Sequence, residues 1–293
     1  MELRFSRRDV LAAGLALPAA CAAAAPALKP AYRTLGKTGL KVTSLGFGCM
    51  LASDPVVFER AADLGINFFD TARSYQGGNN ERMVGAALKG KRNNIILASK
   101  SLAAGKAEAL GQLDTSLKEI GTDYLDIWYL HAKSKPEEIS DELLEAQQIA
   151  RKAGKIRFAG VSTHANMQAL IPYLVAKGQH QVILTAYNFT MQPAVGEAIR
   201  AARQAGVGIV AMKVMAGGYN RIKRGDRLYG ADPNALLSRL QKEGAMLAAL
   251  KWALKNQSVD SAIVGITDLD QVDEDARAMA EPFQEKDAKL LSA

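Results

Sequence analysis

From about residue 42 onward, short apolar runs alternate with longer stretches where apolar and charged positions recur at helical spacing. The runs at 42–50, 66–69, 95–99, 124–130, 156–161, 182–186, 207–212 and 261–264 are rich in Val, Ile, Leu, Phe and Ala. Near-continuous apolar runs of this length predict parallel strands buried on both faces. The stretches at 55–64, 81–88, 106–120, 136–153, 166–176, 192–205, 245–256 and 269–280 predict helices. Strict alternation of strand and helix is the arithmetic of a parallel α/β fold, and eight strands suit one closed (β/α)8 TIM barrel. Residues 34–35 and 41–42 flank Gly36-Lys37-Thr38-Gly39 and predict a hairpin ahead of the barrel. The segment 216–243, after the seventh strand, is too long for a simple turn and carries Gly217, Gly218, Arg221, Lys223, Arg224 and Arg227. Long loops in compact domains usually have a function, and this one is expected to cover a cofactor or substrate.

Three of the runs end on ionisable residues. Asp70 follows 66–69, Lys100 follows 95–99 and His131 follows 124–130, with a phenol, Tyr75, five residues beyond Asp70. A carboxylate stepping out of an apolar strand is costly unless it is paired or used. In a parallel barrel the carboxyl ends of the strands converge on one face, where barrel enzymes work. Acid, base and phenol meeting there form a proton-transfer constellation.

Composition changes the picture mainly at the N-terminus. The chain has 293 residues, 48% hydrophobic, a length that suits a single barrel of about 250 residues with a leader. Ser6-Arg7-Arg8-Asp9-Val10-Leu11 is a twin-arginine pattern, and the Ala/Leu run after it is too short for a comfortable membrane span. Small residues at 22–27 offer cleavage sites. The expectation is a twin-arginine signal peptide over 1–27, removed on export to the periplasm, and a barrel domain over 28–293. The export machinery is then a partner. Cys21 is an alternative lipidation site, disfavoured by Pro18; without a lipid there, no stable membrane association is expected. Losing three Arg and two acidic residues with the leader takes the net charge from +7 to +6. The basic residues are scattered among acids without an aromatic-interleaved stripe, so no nucleic-acid partner is expected. Cys49, the one cysteine left, reads as a small core hydrophobe.

The motif Asp70-Thr71-Ala72 with Tyr75, followed by Lys100 and His131 at later strand ends, resembles the aldo/keto reductase family. The opening Tyr32-Arg33-Thr34-Leu35-Gly36-Lys37-Thr38-Gly39-Leu40-Lys41-Val42 and Gly160-Val161-Ser162 are similar to it too, so the likeness runs from about residue 32 to the end. The resemblance implies that the hairpin crosses the bottom of the barrel. It also implies reduction of a small-molecule aldehyde or ketone by a nicotinamide cofactor. Tyr75 would be the general acid, its pKa lowered by the Lys100 cation. Asp70 would fix Lys100, and His131 would orient the substrate oxygen.

For the cofactor, the resemblance implies that Ser162 and Thr163 meet the carboxamide, although many relatives have Asn in place of Thr163 and Gln in place of Leu184. Tyr187, Lys213 and Gly217 are expected around the nucleotide. Gly265 ends Ile263-Val264-Gly265, which is similar to the family's adenosine-binding turn. Glu274 and Asp275 stand where the family usually has Glu-Asn on adenine, and Gln271 replaces the Arg that often grips the 2′-phosphate. Five acidic residues and no basic one lie between Gly265 and Asp275. Lys213 and the basic residues of 216–243 offer compensating charge, and NADP(H) is expected slightly ahead of NAD(H). Gly46-Phe47-Gly48 lacks the third glycine of a Rossmann loop. His164 alone has no metal-ligand spacing around it, so no metal is expected. The four-residue set favours an exported carbonyl reductase. The thinner cofactor contacts favour an exported nucleotide-binding barrel of low turnover, acting as a sensing or partner subunit.

Overall fold

The computed structural model describes residues 29–216 and 238–292. The leader read at 1–27 lies outside the described residues, as do Gly217 and most of the 216–243 loop.

Strands β1 (Tyr32–Thr34) and β2 (Lys41–Thr43) form an antiparallel hairpin. The barrel strands are β3 (Leu45–Gly48), β4 (Phe68–Asp70), β5 (Ile96–Ser101), β6 (Leu125–Leu130), β7 (Ile156–Thr163), β8 (Val182–Ala186), β9 (Gly208–Met212) and β10 (Ser261–Gly265). They pair in parallel in that order, and β10 closes back onto β3. Helices α1 (Pro55–Asp63), α2 (Asn79–Leu88), α3 (Lys106–Ile120), α4 (Asp141–Lys152), α5 (Met167–Lys177) and α6 (Pro193–Gln204) follow successive strands. After β9 comes α7 (Ala245–Lys255), and after β10 come α8 (Leu269–Ala276) and α9 (Glu285–Ser292). This is the single (β/α)8 barrel that the apolar pattern predicts.

Strand alternation sorts the side chains into two layers. On β4, Phe69 faces the helices and stacks on Phe47 at 5.8 Å, and Phe47 in turn meets Phe58 of α1 at 5.3 Å. Phe68 faces the lumen instead, with Ala98, Ile127, Tyr129, Leu184 and Val210. Asp70 shares the parity of Phe68, Lys100 that of Ala98, and His131 that of Tyr129. The alternation that fills the lumen therefore also delivers three ionisable groups to its upper end.

The hairpin closes the opposite end, where Leu35, Leu40 and Val42 join the lumen cluster. Lys37 N donates to Gly206 O at 2.8 Å, and Gly36 N to Asp260 Oδ2 at 3.0 Å. Gly36 has φ +50°, and a Cβ on it would lie 2.3 Å from Gly208 N, so the close approach requires glycine.

Three expected elements divide. The run 42–50 is shared between two sheets, because Thr43 pairs with Tyr32 in the hairpin and Ser44 N donates to Ala31 O. The barrel strand begins only at Leu45, and Cys49–Leu51 is a single 3₁₀ turn. The helix expected at 136–153 begins as the 3₁₀ turn Pro136–Glu138, and α4 starts afresh where Ser140 accepts from Leu143 N. The helix expected at 269–280 tightens into a 3₁₀ turn after Ala276. Helix α9 was not expected. It is anchored by Asp287, which takes the buried Lys251 ammonium at 2.9 Å.

Candidate active site

Lys100 and Asp70 are about as buried as charged groups can be, 1% and 2% exposed. The Lys100 Nζ donates to Asp70 Oδ2 at 2.5 Å, to Thr71 O at 2.7 Å and to the Tyr75 hydroxyl at 3.0 Å. An ammonium has three donors, and these acceptors use all of them. Burial works against the Lys100 cation, but Asp70 and Tyr75 together outweigh it and hold its pKa above the ordinary lysine value. Burial also pushes the Asp70 carboxyl up against the pull of Lys100. Three hydrogen bonds on Nζ make a charged pair the consistent reading.

The loop after β4 puts Tyr75 in place. The β4–β5 ladder continues past the strand, with Thr71 N on Ala98 O at 2.9 Å and Arg73 N on Lys100 O at 3.1 Å. The chain then turns through positive φ at Gln76 and at the glycines of 77 and 78. A Cβ on Gly78 would lie 1.5 Å from the Arg73 guanidinium, so only glycine lets that side chain cross. Beneath the loop, Glu81 is fully buried and accepts from Ser99 Oγ at 2.6 Å and pairs with Arg73 at 2.5 Å. Asn80 accepts from Thr71 Oγ1 at 2.6 Å and donates to Cys49 O at 2.8 Å. Sequence reasoning missed both residues as supports of the site. Their signal was two polar residues at the start of α2, on its inward face.

Burial also decides the state of the phenol, and here the expectation was wrong in sign. Burial raises the Tyr75 pKa above the ordinary phenol value by more than Lys100 lowers it. The group is therefore protonated at neutral pH, as a proton donor must be. His131 is held to about 3, first by burial and then by Lys100, His164 and Lys133. Its imidazole is neutral, and its ring stands edge-on to Tyr75 at 5.9 Å. Its Nδ1 is buried with no hydrogen-bond partner.

The residues expected around a cofactor are less uniform. Ser162 is buried at the end of β7, its Oγ accepting from Ala132 N at 2.8 Å. Thr163 Oγ1 bonds Ala165 O, and Leu184 is a lumen residue. Tyr187 does not face the mouth: its ring packs on Trp252 of α7 at 5.0 Å, and its hydroxyl accepts from Asn256 at 3.0 Å. It belongs to the helix layer and is withdrawn from the cofactor set. Lys213 follows β9 at φ 55°, and its carbonyl accepts from Asn188. Gly265 lies beside Gly48 at the top of the barrel.

Gln271 is engaged at the start of α8, accepting from Thr267 N at 3.0 Å and donating to Asp268 at 2.7 Å. On the same helix Glu274 is half-buried, and Asp275 is fully buried with its carboxylate turned into the protein. Asp273 pairs with Arg60 of α1. Among the described residues there is no cluster of potential metal ligands, and no helix is long and apolar enough to cross a membrane.

A closed parallel barrel carrying its buried ionisable cluster at the strand carboxyl ends defines a TIM-barrel protein with a site in the usual place. The sequence profile of the aldo/keto reductase family matches residues 54–293, and the chain belongs to that family. It is 28% identical to L-galactose dehydrogenase of Arabidopsis thaliana over 280 residues, covering 85% of this chain and 88% of that protein. Likeness to L-glyceraldehyde 3-phosphate reductase of Escherichia coli K12 is 26% over 308 residues, covering 85% and 87%. An aldo-keto reductase from Bacillus halodurans, in its holo form, superposes with a TM-score of 0.76 at 27% identity, covering 90% of this chain and 95% of that one. The family uses nicotinamide cofactors. Tyr75, only partly buried as a residue, and the partnerless Nδ1 of His131 fit the reacting end of such a cofactor and its substrate.

Proposed function

We propose that this protein reduces an aldehyde or ketone to an alcohol, with Tyr75 as general acid. The observation that carries the reading is the Lys100 ammonium, held at once by Asp70 and by the Tyr75 hydroxyl. A bound nicotinamide supplies the hydride. As negative charge grows on the carbonyl oxygen, Tyr75 gives it a proton, and the Lys100 cation stabilises the phenolate left behind. Asp70 keeps Lys100 charged and in place. Neutral His131 hydrogen-bonds the carbonyl oxygen and fixes its direction. The test is reduction of a panel of generic aldehydes, followed at the nicotinamide. A chain that binds nucleotide tightly and reduces none of the panel would instead be a binding subunit of low turnover, a reading that the absence of Tyr187 from the mouth favours.

We further propose NADP(H) as cofactor, with Ser162, Thr163, Lys213, Gly217 and Gly265 around it and α8 at its adenosine end. Gln271→Arg is expected to tighten NADP(H) about tenfold and leave NAD(H) nearly unchanged, since one charge-assisted phosphate contact contributes about 1.5–3 kcal/mol. Equal effects on both would remove Gln271 from the 2′ position. Export is proposed from Arg7 and Arg8. Changing both to Lys should leave an untrimmed protein inside the cell, and normal export of that variant would dismiss the leader reading.

A further inference from the structure

The exits of β6 and β7 bring Lys133 and the imidazoles of His131 and His164 to the side of the barrel mouth that holds Tyr75. His131, Ala132 and Lys133 leave β6 in succession. Two hydrogen bonds fasten them to β7, Ala132 N to Ser162 Oγ and Lys133 N to Ser162 O, both at 2.8 Å. Ala132 has φ 56°, a left-handed conformation that alanine keeps only where its surroundings impose it. Lys133 is 9% exposed as a whole residue, and among the described residues its ammonium makes no hydrogen bond or ion pair. Glu138, an acid within its electrostatic reach, is committed elsewhere: its carboxylate takes Ser134 N at 2.6 Å, Ser134 Oγ at 3.1 Å and Lys135 N at 3.3 Å.

Around the reacting groups Asp70 and Lys100 cancel, Tyr75 and His131 are neutral, and Lys133 has no contacting counter-ion, Glu138 offsetting its charge only through space. The field of Lys133 reaches the reacting groups, because it is one of the charges that depress His131. Burying an ammonium without a counter-ion is unfavourable, and burial does lower the Lys133 pKa. A bound anion removes that cost. His164, whose ring lies 6.5 Å from that of His131, adds a second imidazole on the same side.

Resting on the carbonyl-reduction reading, we propose that the substrate carries an anionic group, carboxylate or phosphate, bound by Lys133 while its carbonyl lies between Tyr75 and His131.

The nucleotide-loaded full chain is to be assayed with two matched pairs, 4-carboxybenzaldehyde against 4-methylbenzaldehyde and glycolaldehyde phosphate against glycolaldehyde. In at least one pair the anion should have a kcat/KM about tenfold or more higher. Lys133→Met should abolish that ratio through KM, and Lys133→Arg should retain most of it. The pair that responds tells carboxylate from phosphate. A ratio near one in the parent, or one unchanged in Lys133→Met, overturns the proposal. So does a Lys133→Met protein whose ratio persists while nucleotide affinity falls tenfold, which would give the charge to the cofactor's phosphates. If the parent reduces neither these aldehydes nor a panel of ketones, carbonyl reduction fails as the function. Calorimetry with terephthalate then decides the anion site alone: binding should weaken tenfold or more in Lys133→Met, and unchanged binding refutes it.

Discussion

Tyr75→Phe is expected to slow carbonyl reduction by about 10²- to 10⁴-fold, the usual contribution of a positioned general acid. The ring, its edge contact with His131 and the Lys100–Asp70 pair all survive this change. Nucleotide affinity should therefore stay near that of the parent. Single-turnover reduction of a generic aldehyde, with nucleotide binding measured alongside, separates the two effects. A variant that reduces at near the parent rate would remove Tyr75 from the mechanism. The parent's pH profile is a second reading of the same site. Burial holds Tyr75 above the ordinary phenol value and His131 at about 3. Neither group changes protonation between about pH 5 and 9, so kcat/KM for an uncharged aldehyde should be flat across that range. A break near neutrality would show that another group supplies the proton.

Lys100→Met is expected to cost both activity and stability. It removes the charge that stabilises the phenolate, so the rate should fall by an amount similar to that for Tyr75→Phe. It also strands Asp70, which is 2% exposed, and breaking a buried pair from one side costs about 3–5 kcal/mol. At about 2–4 °C per kcal/mol for a chain of this size, Tm should drop by roughly 6–20 °C. The stranded carboxyl has a folded pKa above its unfolded value. Its stability contribution is present below the unfolded value near 4 and is lost as pH rises toward the folded one. The defect should therefore be mild in acid and grow toward neutrality. Adding Asp70→Asn should recover most of the lost Tm without restoring activity. Unchanged melting of the single variant would show that the two charges are not coupled.

Much of the fold was legible in the sequence because strands buried on both faces leave near-continuous apolar runs, and helices between them leave amphipathic ones. Three of the four catalytic candidates were legible for a related reason: Asp70, Lys100 and His131 break their runs at the end that a parallel barrel gathers to one face, whereas Tyr75 stands in the loop after the first of them. The boundary between β2 and β3 was not legible, since it depends on Thr43 pairing with Tyr32, a partner outside the run. Nor were the roles of Asn80 and Glu81, which look like an ordinary polar helix start until Thr71, Ser99 and Arg73 close over them.

By itself, then, the sequence determined the alternation, the number of barrel strands and the strand ends that carry Asp70, Lys100 and His131 to one face. Those properties are local, fixed by spacing along one chain segment. Only the tertiary structure decided that Tyr187 turns toward Trp252, that Gln271 is occupied at the start of α8, and that Lys133 is buried without a contacting counter-ion. It also decided the sign of the Tyr75 shift. A neighbouring cation can be guessed from sequence, but desolvation depends on everything packed around the phenol, and here desolvation is the larger effect.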